Sequence, residues 1–265
     1  MPTIPCFHVD AFTARAYAGN PAVVCLLPTA RSAKWMQAVA AEMNLSETAF
    51  VQPTARGFVL RWFTPKVEVA LCGHGTLATA HVLWSEGIAP RGEVLRFRTK
   101  SGELAAAQRG ERIELDFPVR VPVLYRPPVG LARALGKRPV AAARAGDDLL
   151  VELASERDVR ELAPDMPKLR AVKTRGVIVT AASKARTLDF VSRFFAPAVG
   201  VDEDPVTGSA HCALAPWWGK RLGRAMVIGH QVSARGGVVE CELAGERVLL
   251  RGAAVTVVRG ELVSN

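Results

Sequence analysis

Apolar positions along this chain change period several times, and the changes mark out its elements. Residues 32–43 carry Trp35, Met36, Val39, Ala40 and Met43 at i, i+1, i+4, i+5 and i+8. That is one stripe of an amphipathic helix, which Asn44 can close in the left-handed conformation. Strands are predicted at 6–12, where Val9 and Phe12 alternate with His8 and Asp10, and at 22–27, 48–51 and 58–63. Residues 73–84 are apolar or small almost all round, which predicts a helix buried in the middle of strands and stopped by Gly87. Three further strands follow at 95–99, 102–107 and 112–117. Prolines 118, 122, 127 and 128 then mark a crossing between halves.

Beyond that crossing the order repeats. A short helix is predicted at 131–135, a strand at 149–153 and a helical turn at 159–162. The β-branched run at 176–181 and residues 190–195 read as strands. A second helix opens at Gly208 and stays small and apolar until Pro216-Trp217-Trp218. The tail, 231–258, reads as strands turned at Gly236-Gly237, Gly245 and Gly252. Strands, one buried helix and more strands, done twice, predict an α+β fold of two pseudo-symmetric lobes rather than alternating βαβ units. The lobes are placed at 1–118 and 119–265, with the tail free to return to the first.

The repetition is also literal. Arg61-Trp62-Phe63-Thr64-Pro65 precedes Cys72-Gly73-His74-Gly75, and Arg193-Phe194-Phe195-Ala196-Pro197 precedes Thr207-Gly208-Ser209-Ala210. Arg61 and Arg193 lie 132 positions apart and Gly73 and Gly208 lie 135 apart, so the second loop is three residues longer. It is filled with acid: Asp202, Glu203 and Asp204. A helix beginning at either glycine leaves its first backbone N–H groups without intrahelical partners at the positive end of the helix dipole. Two such starts make a seat for a carboxylate.

Composition narrows the class. The chain has 265 residues, 49% of them hydrophobic and 22% charged, which allows a sizeable core. Its net charge of +9 comes from scattered arginines without a basic block, so the charge reads as a solvated surface that can attract small anions. Nucleic acid is not an expected partner. Five cysteines with no C-x-x-C spacing predict neither a disulfide framework nor a zinc site, and no metal or organic cofactor is expected. No apolar run of membrane-spanning length occurs, and Met1-Pro2-Thr3-Ile4-Pro5 does not read as a secretory leader. A reduced, cytoplasmic setting is the expectation.

Few groups are placed for acid–base work. Glu47 stands between the helix closed by Asn44 and an apolar strand, beside Ser46; at such a place a solvated strand end is the plain alternative. His74 sits at the first helix start and Asp204 just before the second. His211, one turn into the second helix, reads more readily as a hydrogen-bonded core histidine than as a catalyst. No P-loop, metalloprotease or serine-hydrolase motif is present.

Several segments resemble the phenazine-biosynthesis isomerase PhzF and its relatives: Gly19-Asn20-Pro21-Ala22-Val23, Asn44-Leu45-Ser46-Glu47-Thr48-Ala49-Phe50, the two helix starts, Glu203-Asp204-Pro205-Val206-Thr207-Gly208-Ser209, and Gln231-Val232-Ser233-Ala234-Arg235-Gly236-Gly237. The resemblance implies the two-lobed fold shared with diaminopimelate epimerase and proline racemase, with the site in the cleft, and a homodimer. It implies that Glu47 takes a proton from one carbon of a small cyclic or amino carboxylic acid and returns one to another. It implies that Ser46, Gly73, His74, Asp204, Gly208 and Ser209 hold the substrate. The related two-base epimerases have a thiol before the glycine of each helix start. Here those positions are Cys72 and Thr207, so one base is missing. The competing expectations are an amino-acid racemase with unlike bases and a non-catalytic small-acid binding protein.

Overall fold

The computed structural model describes residues 3–263. The chain forms two compact units. The first runs up to Asp116 and takes up the chain again from Arg251; the second is Phe117–Leu250.

The first unit contains β1 (Ile4–Ala11), β2 (Asn20–Leu26), α1 (Ala33–Met43), β3 (Glu47–Thr54), β4 (Gly57–Phe63), β5 (Glu68–Val69), α2 (Gly73–Ser85), β6 (Leu95–Thr99) and β7 (Gly102–Arg109). β8 (Arg112–Pro118) leads out of it. The second contains β9 (Val123–Leu124), α3 (Leu131–Leu135), β10 (Ala141–Ala145), β11 (Asp148–Glu152), α4 (Glu156–Arg160), α5 (Met166–Arg170), β12 (Gly176–Ala182), β13 (Phe190–Ala196), β14 (Val201–Asp204), α6 (Gly208–Leu222), β15 (Met226–Gln231) and β16 (Gly237–Ala244). β17 (Arg247–Gly252) leads back, and β18 (Ala254–Leu262) pairs antiparallel with β1.

Strand pairing shows that the units repeat one design. In the first, β1–β2 is antiparallel, β2–β3 parallel, β3–β4 and β4–β5 antiparallel, β4–β6 parallel and β6–β7 antiparallel. In the second, β10–β11, β11–β12, β12–β13, β13–β14, β13–β15 and β15–β16 run through the same sequence of directions. The fold is α+β, with strands around a central buried helix in each unit. α2 buries ten residues, from His74 to Trp84, and α6 likewise buries ten, from Gly208 to Gly219. Buried Thr76 and Thr79 are tolerated in α2 because their hydroxyls donate to the carbonyls of Cys72 and Gly75, at 2.6 and 2.7 Å. α1 covers other apolar side chains: Met36 and Ala40 pack with Val23, Cys25, Phe50 and Phe63.

The acidic second loop is not a loop. Its acids lie on β14, where Glu203 receives two hydrogen bonds from Arg193, at 2.7 and 2.8 Å. In the first unit Glu68 on β5 receives the same pair from Arg61, at 2.7 and 2.9 Å. Each guanidinium also lies over a phenylalanine two positions on, Phe63 at 5.2 Å and Phe195 at 4.9 Å. The duplicated Arg-aromatic-Phe segment is therefore a strut that braces the strand before each buried helix. Its planar fork needs arginine rather than lysine.

Two further features are set by contacts with other parts of the chain. α6 does not end at Pro216. Proline cannot donate to the carbonyl four residues back, and that Cys212 carbonyl instead accepts the backbone N–H of Arg120 at 3.0 Å. The proline-rich crossing contains β9, which pairs with β10.

Candidate active site

Both buried helices begin at the glycines of the repeat. α2 is capped by a residue seldom used for the purpose: the Cys72 Sγ accepts the Gly75 N–H at 3.3 Å. A Cβ on Gly75 would stand 2.8 Å from the Trp62 indole and 2.9 Å from that sulfur, so a glycine is needed there for the turn to close.

His74, the second residue of α2, is almost fully buried. Its Nε2 lies 3.2 Å from Glu47 Oε2, and its Nδ1 lies 3.2 Å from the Asn20 side-chain amide nitrogen. In the neutral imidazole the Asn20 amide nitrogen, which can only donate, makes Nδ1 the acceptor and Nε2 the N–H donor to the carboxylate. Glu47 opens β3 beside Ala22 of β2, and Asn20 opens β2; the ends of these parallel strands thus set both partners of the imidazole. Glu47 keeps about a fifth of its side chain in solvent. It is the exposed member of this group. Ser46, partly buried, precedes it in the turn.

Burial by itself would hold the His74 imidazole below its ordinary range, but the neighbouring Cys72 sulfur and Glu47 carboxylate more than reverse this and raise it. Burial pushes the Cys72 thiol up, against the opposing pull of the imidazole. A thiol so placed is a poor base near neutral pH. Cys72 Sγ, a His74 ring nitrogen and a Glu47 oxygen all lie within 4.8 Å of one another, so the three could together hold a metal ion.

At the second helix start the place of Cys72 belongs to Thr207, and its hydroxyl is fully engaged. It donates to Asp204 Oδ2 at 2.5 Å and accepts from the Gln231 amide at 3.2 Å. Gln231 also accepts the Thr207 N–H at 2.8 Å and donates to the Asp204 carbonyl at 2.6 Å. Thr207 does not cap α6 with its side chain. Ser209, partly exposed, accepts from Arg175 Nη2 at 3.3 Å, and Arg175 is held in turn by the buried Asp148. Asp148 is shared by Arg175 and Arg120, so these three side chains together keep one net positive charge near the start of α6. His211, completely buried, donates its Nδ1–H to the Thr207 carbonyl at 2.8 Å and is the core histidine expected from the sequence.

The structure therefore brings Glu47 and His74 together in the first unit, with Gly73 adjoining, and Asp204, Gly208 and Ser209 around one helix start in the second. Four contributors have no role assigned from sequence. Asn20 and Gln231 lie inside segments that carry the family resemblance, but nothing local marks a hydrogen bond to a residue 54 or 24 positions away. Thr207 stands out in the sequence only as a missing thiol, and Arg175 carries no signal at all.

Comparison with known proteins identifies the family and the fold. The family model described as phenazine biosynthesis-like protein, PhzC-PhzF, matches residues 9–260. An uncharacterized isomerase of Halalkalibacterium halodurans is 51% identical over 266 residues, covering 99% of this chain and all of that protein. The human phenazine biosynthesis-like domain-containing protein is 40% identical over 287 residues, covering 98% of this chain and 99% of its own. A PhzF-family crystal structure from Enterococcus faecalis superposes with a TM-score of 0.95 at 41% identity, covering 99% and 100% of the two chains. A probable proline racemase from Agrobacterium radiobacter shares the fold, with a TM-score of 0.67 at 13% identity and coverage of 99% and 93%. With its sequence matched from residue 9 to 260 and its fold matched throughout, the chain belongs to the PhzC-PhzF, phenazine biosynthesis-like family and is an isomerase.

Proposed function

We propose that this isomerase moves a proton between two carbons of a small cyclic or amino carboxylic acid, without a cofactor, and that Glu47 is its single acid–base group. One observation carries the reading. Of the proton-carrying side chains around the start of α2, only Glu47 is appreciably open to solvent, and an N–H donor orients its carboxylate. A carboxylate so held can take a proton from an acidic carbon and return it elsewhere on the same face. His74 keeps one oxygen engaged, which leaves the other for the substrate.

The remaining residues supply binding. Under this reading the N–H groups at Gly73 and His74, with Ser46, bind the carboxylate or a polar substituent of the substrate, and those at Gly208 and Ser209, with Asp204, are suited to the same kinds of group. Charge on the neighbouring carboxylate favours loss of a proton only if it is neutralised, and helix N-termini do this without mobile counterions. The Arg175 guanidinium beside Ser209 supports an acidic substrate for the same reason.

A racemase using Cys72 as one base is the second reading, favoured by the 3.7 Å approach of its sulfur to His74 Nδ1. The hydrogen-bonded Thr207 hydroxyl weighs against it, since a two-base exchange needs a partner. A screen of small cyclic and amino carboxylates in deuterated water tests the proposal. At least one should exchange a carbon-bound hydrogen and give an isomer with a moved double bond or hydrogen. Inversion at one α-carbon as the sole product favours the racemase, and ligand affinity without exchange makes the protein a binding module.

A further inference from the structure

We propose that Glu47, Cys72 and His74 form a binding site for a soft divalent cation of the zinc class, and that an ion bound there stops proton transfer. The three donors come from β3, the residue before α2 and α2 itself. They are of three chemical kinds: carboxylate, thiol and imidazole. Cys72 Sγ lies 3.9 Å from His74 Nε2, and Nε2 lies 3.2 Å from Glu47 Oε2. Zinc bonds of about 2.3 Å to sulfur and about 2.0–2.2 Å to nitrogen and oxygen give tetrahedral donor separations of roughly 3.4–3.6 Å. Side-chain shifts of about a bond length or less thus close the trio on an ion. The partly exposed Glu47 marks the side from which an ion enters and where water completes the tetrahedron.

Charge and ligand softness define the class of cation. Thiolate and carboxylate together neutralise a dication, which removes the penalty of burying either charge alone. Sulfur selects zinc-like ions over magnesium or calcium. Binding releases the Cys72 proton to solvent, together with the second proton of a charged His74, and the imidazole keeps its remaining proton on Nδ1 so that Nε2 offers its lone pair. Asn20 accommodates that change by turning its amide end for end, since its oxygen then accepts from Nδ1. Affinity accordingly rises with pH. A Glu47 carboxylate whose charge is taken up by the ion is a much weaker base toward a substrate proton. That inhibitory half rests on the proposed role of Glu47, whereas the binding half does not.

The test uses the full chain, stripped with chelator and dialysed, titrated with zinc chloride by calorimetry and with cobalt(II) by absorption spectroscopy. One ion per chain should bind at micromolar concentration. Cobalt should show a thiolate charge-transfer band and tetrahedral d–d bands. Cys72→Ser should weaken binding by more than about 100-fold, beyond what loss of a merely supporting residue does. Absence of saturable binding at micromolar metal, or binding unchanged in Cys72→Ser, overturns the proposal. If Cys72→Ser does not fold, the wild-type cobalt spectrum decides: a spectrum without the thiolate band overturns it equally. Assays of chelator-treated Glu47→Gln test the proton role separately, so failure of zinc to bind and failure of that role are distinguishable. Turnover that survives saturation of the trio with zinc overturns the inhibitory half.

Discussion

Replacing Glu47 by glutamine should reduce turnover by at least about 10³-fold while leaving substrate affinity nearly unchanged. The substitution keeps the shape of the side chain and an oxygen that can accept the His74 Nε2–H, now 3.2 Å from the carboxylate. It removes only the ability to carry a proton. A positioned general acid or base is worth roughly 10²–10⁴-fold, or about 3–5 kcal/mol of barrier at about 1.36 kcal/mol per tenfold. A group that performs both transfers belongs near the top of that range. Affinity is expected to hold because the groups proposed to bind the substrate, Gly73, His74, Gly208 and Ser209, are left in place by the substitution. Cys72→Ala should cost much less, since it removes a helix cap rather than a base. Side-by-side kinetics of the two variants on one identified substrate check the ordering. A severe Cys72→Ala and a mild Glu47→Gln would favour the racemase instead.

The second large effect concerns acid stability and His211. Burial pushes its imidazole down to about 4, only partly countered by the hydrogen bond to the Thr207 carbonyl. Its Nε2 is buried with no hydrogen-bond partner, so a second proton there would have nothing to meet. The folded-state value lies below the ordinary 6.5, so between these values the unfolded chain binds more protons than the folded one. The stability that depends on a neutral His211 is therefore complete above about pH 6.5 and lost as pH falls toward 4. The loss amounts to about 3 kcal/mol, at about 1.4 kcal/mol for each pH unit separating the folded and unfolded values. His81 and His230 are lowered as well, chiefly by burial, and act in the same direction. His74 acts in the opposite sense: its raised value gives stability present in acid and lost as pH climbs through the folded-state value. Urea midpoints measured across this pH range should fall steeply for the wild type. They should fall much less for His211→Gln, although that variant starts lower at neutral pH. Equal slopes for the two proteins would show that His211 is not the group responsible.

Features of this protein are legible in its sequence where their causes are local. α1 is legible because its stripe, its Ser32 cap and its left-handed Asn44 at φ 49° all lie within a dozen residues. α2 and α6 are legible because helices buried on every side leave no polar face. β10 is not, since an alanine-rich segment has neither alternation nor branched side chains; the turn at Gly146 and pairing with β11 make it a strand. Asp202, Glu203 and Asp204 suggest a solvated loop because acids usually are solvated, and only the distant Arg193 gives Glu203 its place on β14. What carries α6 past Pro216 is not visible locally, because the N–H that meets its orphaned carbonyl belongs to Arg120, far away in the chain. The site divides along the same line. Glu47, His74 and the two glycines are visible from helix-start chemistry and from the resemblance. Asn20, Gln231 and Arg175 act through contacts that no window of sequence contains.

If one carboxylate carries the proton in both directions, an isotope followed through the first turnover will reveal it. Once a substrate is identified, it is deuterated at the carbon that loses its hydrogen and converted in ordinary water by chelator-treated enzyme, and the product is examined by mass spectrometry and NMR. A measurable share of the product should carry the substrate's own deuterium at the new carbon, and both this transfer and turnover should collapse in Glu47→Gln. Product whose new hydrogen comes wholly from solvent even in the first turnover, formed at a near-normal rate by Glu47→Gln, would contradict a single-carboxylate mechanism.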